Sequence, residues 1–179
     1  MKGLLGIAVV AMCVTSSAGA YTGFGVCNFG KQTVSDVICY GPVILKDTTI
    51  SGDMKVAGSV KAAGVTIGSM TVAGSVTMES SRVNGVVNIV GSLNTNGVEF
   101  VKDLMITSSM VTLTNTKLDG SIKITSEQVK PTLVMQCGTV ITGNVTFDSK
   151  AGLVQMTDDS SVQGKIVNGT QEFLQKKCS

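Results

Sequence analysis

Histidine and tryptophan are absent from this 179-residue chain, arginine occurs once, at Arg82, and there are only two prolines. Aromatic residues are also scarce, with two tyrosines and five phenylalanines. Without histidine no Ser-His-Asp or Cys-His arrangement can form, and an acyl transfer that relies on a histidine base is excluded. No run of like charge occurs, so the composition gives no reason to expect nucleic acid or an acidic membrane surface as a partner. Apart from the stretch Leu4 to Val14, no apolar run approaches the roughly 20 residues of a membrane helix, so no transmembrane segment is expected.

That apolar stretch follows a basic start at Lys2 and precedes small residues from Ser16 to Ala20. The layout is that of a secretory signal peptide over residues 1–20, with cleavage expected after Ala20. An exported product follows, periplasmic, secreted or held at the cell surface. Cleavage removes Lys2 from the 14 basic side chains and leaves all 12 acidic ones, so the mature chain is close to neutral. Its length is that of one domain. Four cysteines survive cleavage: Cys27, Cys39, Cys137 and Cys178. An even count in an exported chain reads as disulfides, and without histidine or Cys-x-x-Cys spacing zinc is the lesser reading. Three pairings are open, and proximity in sequence favours Cys27 with Cys39 and Cys137 with Cys178.

Between Thr49 and Val167 the sequence returns repeatedly to apolar, any, Gly, any, apolar, any, apolar. Ile50, Gly52, Met54 and Val56 form one copy, and Val72, Gly74, Val76 and Met78 another. Leu118, Gly120, Ile122 and Ile124 follow, then Ile141, Gly143, Val145 and Phe147, and finally Val162, Gly164 and Ile166. With a degenerate copy at Gly97 these glycines keep a nearly constant interval. Alternation over three to five positions marks short strands, and the Val, Ile and Thr content agrees. A unit of this size cannot bury its own apolar face, so copies must stack on a shared core. The expected fold is an all-β, single-domain parallel β-helix of about six coils with a repeat of about 22 residues; a β-sandwich is the alternative. Residues 49–167 would form the helix. Residues 21–48, with Cys27 and Cys39, and residues 168–179 would cap it, and Gln171 to Lys177 could supply a short helical turn over the last coil.

Chemistry is thin along this chain. Asp158 and Asp159 are adjacent carboxylates in a polar corner, read as a solvated turn before a cation site. Stacking could align Glu79 with Asp103, or Asp119 with Lys117 and Lys123. Thr112, Leu113 and Thr114 form a single threonine triplet, too few for a regular rank of threonines. Asn144 and Asn168 begin glycosylation sequons, and Asn84, Asn96 and Asn168 precede glycine as corner residues do. No catalytic residue, cofactor or metal ligand is assigned, and the chain is not expected to be an enzyme.

The segments Ile-Ser-Gly-Asp-Met-Lys-Val from Ile50, Val-Ala-Gly-Ser-Val-Thr-Met from Val72 and Ile-Thr-Gly-Asn-Val-Thr-Phe from Ile141 resemble the bactofilin-like polymer-forming β-helix proteins of bacteria. The likeness covers about two-thirds of the chain and does not extend to the leader or the cysteines. The layout from Ser35 to Pro42 before the coils is similar to small exported proteins of Legionella-type bacteria. The second resemblance implies location and fold, and carries no activity. The leading expectation is an exported, non-catalytic structural or adhesive module. A carbohydrate-binding or carbohydrate-cleaving β-helix and a self-assembling filament subunit are the alternatives. A cell-envelope component, a polysaccharide, a protein or a second copy of the chain are the partner classes left open.

Overall fold

The computed structural model describes residues 19–127, 130–148, 151–175 and 178. The leader therefore falls almost wholly outside the described residues. The rest forms a β-solenoid of about nine coils in which all strand pairs are parallel. Each full coil has three faces. In the fifth coil these are Val87–Val90 on face I, Leu93–Asn96 on face II and Glu99–Phe100 on face III. Face II is a nine-stranded sheet, while faces III and I join into a 15-stranded sheet because Thr49–Ala57 and Thr66–Ala73 run through the corner between them.

Alternation places six side chains of each coil inward. In the fifth coil these are Val87, Ile89, Leu93, Thr95, Val98 and Phe100, all buried. Register holds each inward position directly over its counterpart, as in Val37, Met54, Met70, Val87 and Leu104 along face I. The core is thus six columns made mostly of Val, Ile, Leu and Met, narrow enough that only Phe29, Phe100 and Phe147 among the aromatics are buried in it.

The coil is shorter than the glycine spacing suggests. Val60 pairs with Val76 and Leu93 with Val111, which sets a coil of about 17 residues through this half of the rod. Only near the C-terminus does it lengthen, where Ile122 pairs with Val145. The expected six coils of even, longer repeat are therefore replaced by about nine, most of them shorter. The glycines of the apparent repeat occupy three different corners. Gly52, Gly120, Gly143 and Gly164 lie between faces III and I, Gly74 between I and II, and Gly97 between II and III.

The corner between faces III and I explains why glycine is followed by a polar residue. Asp36 Oδ1 accepts the Asp53 amide of the next coil at 2.9 Å, and Asp103 Oδ1 accepts that of Ser121 at 2.7 Å. Ser121 Oγ accepts the Asn144 amide at 3.1 Å, and Asn144 Oδ1 that of Lys165 at 2.9 Å. A side chain lying over the next coil in this way leaves no room for a Cβ there. One built at Gly52 would sit 2.3 Å from Asp36 Oδ1, and one at Gly164 2.7 Å from Asn144 Oδ1.

Between faces II and III the core mixes hydroxyls with Val65 and Val98. Thr48, Ser81, Thr95, Thr116, Thr139, Thr157 and Ser160 are buried hydroxyls, each with a partner. Thr139 Oγ1 accepts the buried Thr116 amide at 3.2 Å and donates to the Gln136 carbonyl at 2.7 Å. Thr139→Val keeps the shape but leaves that amide unpaired, which costs about 1–3 kcal/mol. A drop of that size in the urea-unfolding free energy is expected, and an unchanged midpoint would show that water or a backbone shift replaces the hydroxyl.

The ends differ from the expected caps. Residues 21–48 already form the first two coils, with Tyr21–Phe24, Cys27–Phe29 and Thr33–Val34 in register with the next turn. Their strand pattern is masked in the sequence because Gly23 stands at an inward position. The Tyr21 ring fills that place, packing edge-on to Phe29 at 4.9 Å and closing the core. At the other end Gly169–Phe173 is a further strand, paired with Gly152–Met156, where a helical turn was expected. Its polar Gln171 and Glu172 extend a ladder already set by the preceding coil, and backbone pairing prevails over helical propensity. Lys176 and Lys177 lie outside the described residues. Cys27 is bonded to Cys39 and Cys137 to Cys178. The second bond draws the chain end back two coils along the corner between faces II and III.

Candidate functional site

Three surface features follow from this stacking. The first is a charge ladder on face III. Register places Arg82 beside Glu99 and Glu99 beside Lys117. Arg82 Nη1 is paired with Glu99 Oε2, its Nε donates to Asn84 Oδ1 at 2.8 Å, and Lys117 Nζ lies 2.9 Å from Asp119 Oδ1. Asp119, helped by Glu99, raises the Lys117 pKa above its ordinary value. Sequence reasoning paired Lys117 with Asp119 but missed Arg82 and Glu99. They stand one coil apart, and that relation is readable only once the true coil length is known.

The second feature is a shallow groove of about 640 Å³ beside this ladder, running along the corner between faces II and III through four coils. Its floor is set by Gly64, Ser80, Gly97 and Asn115, which occupy equivalent corner positions with φ of 64°, 46°, 65° and 45°. The corner needs a left-handed residue on every coil, and glycine, asparagine and serine meet that need. Where it is glycine, the missing side chain deepens the groove.

The third is an uncharged ridge between faces I and II. Phe24, Tyr40, Ala57, Ala73 and Val90 stand in one outward column. Phe24 is 82% and Tyr40 54% exposed, and their rings stack at 5.1 Å with 15° between planes.

The other sequence candidates are not gathered into a site. Glu79 ends a face II strand beside Asn96, whereas Asp103 lies at the corner between faces III and I, so the two are not neighbours. Lys123 pairs with Asp148 at 3.4 Å instead of joining Asp119. Thr112 stacks between Asn94 and Val134, so its column is mixed. The sequon asparagines serve the ladder, Asn144 by accepting the Lys165 amide and Asn168 by donating to the Phe147 carbonyl at 2.9 Å. Asp158 and Asp159 occupy a turn. Asp159 Oδ1 accepts the Thr157 hydroxyl at 2.5 Å. Among the described residues no group of three or more Cys, Asp or Glu is placed to hold a metal ion, and no helix is long and apolar enough to cross a membrane.

Two carboxyls titrate below the ordinary range. The Thr157 hydroxyl, with smaller help from the Gly138 amide, lowers Asp159. The Thr125 hydroxyl and then Lys123 lower Asp148. A depressed folded-state pKa stabilises above the unfolded value of about 4 and is lost as pH falls through the folded value. Acid-induced loss of stability should therefore be shallower in Asp159→Asn than in the parent when urea midpoints are followed downward from about pH 5. An identical acid slope would show that the hydroxyl contact does not persist in solution.

No family model, curated protein or solved structure matches the chain.

Proposed function

We propose that the chain is an exported, non-catalytic structural or adhesive β-solenoid that works through its long lateral surfaces. One observation carries this reading: six of the twelve carboxylates are committed to structural bonds instead of facing one another. Glu99, Asp119 and Asp148 are in ion pairs, Asp36 and Asp103 hold amides of the next coil, and Asp159 holds a hydroxyl. A hydrolase needs two carboxyls facing across a scissile bond, and a lyase a free base. Two disulfides agree with an oxidising destination outside the cytoplasm. The test has two parts. Intact mass of the protein recovered from outside the cytoplasm should begin at Tyr21 with both disulfides formed. Incubation with a panel of envelope polysaccharides should release no reducing ends; a turnover product would sink the non-catalytic reading.

A second reading, a self-assembling filament subunit like the bactofilin-like proteins, is favoured by the C-terminal end. Among the described residues the strand Gly169–Phe173 pairs on one side only, and Phe173 is 62% exposed. Such an edge is a template for another strand. Light scattering of the oxidised protein separates the two readings: a compact monomer at all concentrations excludes the filament, and growth along one axis supports it.

A further inference from the structure

We propose that the groove beside the charge ladder binds a linear acidic polysaccharide carrying one carboxylate per disaccharide, with Arg82 and Lys117 each taking a carboxylate. This rests on the reading of the chain as an adhesive solenoid that works through its lateral surfaces, and names the ligand class of one of them.

The shape argues for a polymer. The groove has the volume of a small-molecule site but is open to solvent and runs along the rod, so it suits a chain that enters and leaves at both ends. The floor argues for a polyol. The side chains of Thr66, Ser80 and Asn115 line it with no hydrogen-bond partner among the described residues, while the backbone amides of Gly64, Ser80 and Gly97 are spent on the next coil. What remains for a ligand is a row of neutral side-chain donors and acceptors, the complement of sugar hydroxyls.

The ladder supplies the charge selection. Arg82 is the only arginine in the chain. Asn84 and Glu99 hold its guanidinium by Nε and Nη1, which orients the plane and leaves further N–H groups for a carboxylate. Lys117 is held by Asp119 in the same way. Two coils separate Arg82 from Lys117, which at strand spacing is about 9.5 Å, a length on the scale of a disaccharide. Between them stands Glu99. A carboxylate opposite Glu99 is repelled, whereas a hydroxyl there can donate to it. The order cation, anion, cation therefore prefers acid at alternate sugars over acid at every sugar.

Binding can be followed by calorimetry at low salt on the full oxidised mature chain. The probes are a hyaluronan oligosaccharide, which alternates uronate with a neutral sugar, an oligogalacturonate, a dextran oligomer and a single-stranded DNA. The hyaluronan oligomer should bind best and weaken as salt rises. Arg82→Gln and Lys117→Gln should each weaken it about tenfold, the loss of one charge-assisted contact. Glu99→Gln should narrow the preference over oligogalacturonate. All three residues are surface groups, and unchanged melting temperatures would show that the variants fold. No binding of the hyaluronan oligomer, equal binding of dextran or DNA, or binding indifferent to Arg82→Gln and Lys117→Gln would each overturn the proposal. Release of reducing ends would instead sink the non-catalytic reading and leave the ligand class standing.

Discussion

Replacing Gly74 by alanine is expected to lower the stability of the rod by about 3 kcal/mol. A Cβ there would lie 2.3 Å from the carbonyl oxygen of Gly58 and 2.7 Å from its carbon, at a φ of 149°. Both obstructing atoms are backbone, so no rotamer change relieves the contact. The same approach recurs along the corner between faces I and II. A Cβ at Gly58 would meet Gly41 at 2.4 Å and one at Gly91 would meet Gly74 at 2.2 Å, so a shift at one coil is passed to its neighbours. Gly30→Ala is the matched control, because nothing lies within 4 Å of its Cβ position. It should change stability by no more than about 0.5 kcal/mol. Equal urea midpoints for the two variants would show that the corner is looser in solution than its geometry implies.

Removing the Cys27–Cys39 bond should cost about 3 kcal/mol by the loop-entropy argument for a closed loop of this length. Where the loss appears matters more than its size. Both cysteines are buried inward residues, Cys27 opening face II of the first coil and Cys39 on face I of the second. The bond therefore ties the first coil to the second, and each coil of a solenoid depends on its neighbours alone. In Cys27→Ala/Cys39→Ala, hydrogen exchange should accelerate in residues 21–34 while the coils from Val60 onward keep their protection. Uniform loss along the chain would mean that the rod unfolds as one unit and that the bond acts on the whole of it.

The all-β solenoid was legible in the sequence because inward columns need apolar residues and corners need glycine or asparagine, and both patterns survive in Val72, Gly74, Val76 and Met78. The coil length was not. Successive glycines from Gly52 to Gly74 to Gly97 to Gly120 step from one corner to the next while also advancing a coil, so their spacing is about four-thirds of the true repeat. From Gly120 through Gly143 to Gly164 the spacing is a true coil, because two corners there have grown. Two different lengths produce one apparent period. That coincidence hides the groove, since Arg82, Glu99 and Lys117 become neighbours only when the shorter coil is used to align them. Asp119 with Lys117 was visible because next-but-one on a strand is a local relation. The polar spine was hidden for another reason: Thr116 and Thr139 look like surface threonines until their coil is closed around them.

The nearly constant coils of the N-terminal half have a consequence for how such a chain can change in length. From Gly41 to Gly91 each coil offers the next the same glycine corner and the same six inward places. Excising or duplicating one coil there rejoins like to like, in the manner of adding a rung to a ladder. Beyond Ile122 the corners have unequal spans, and a cut would set a wide loop against a narrow one. Whole-coil duplication therefore preserves the packing in the N-terminal half and disturbs it beyond Ile122.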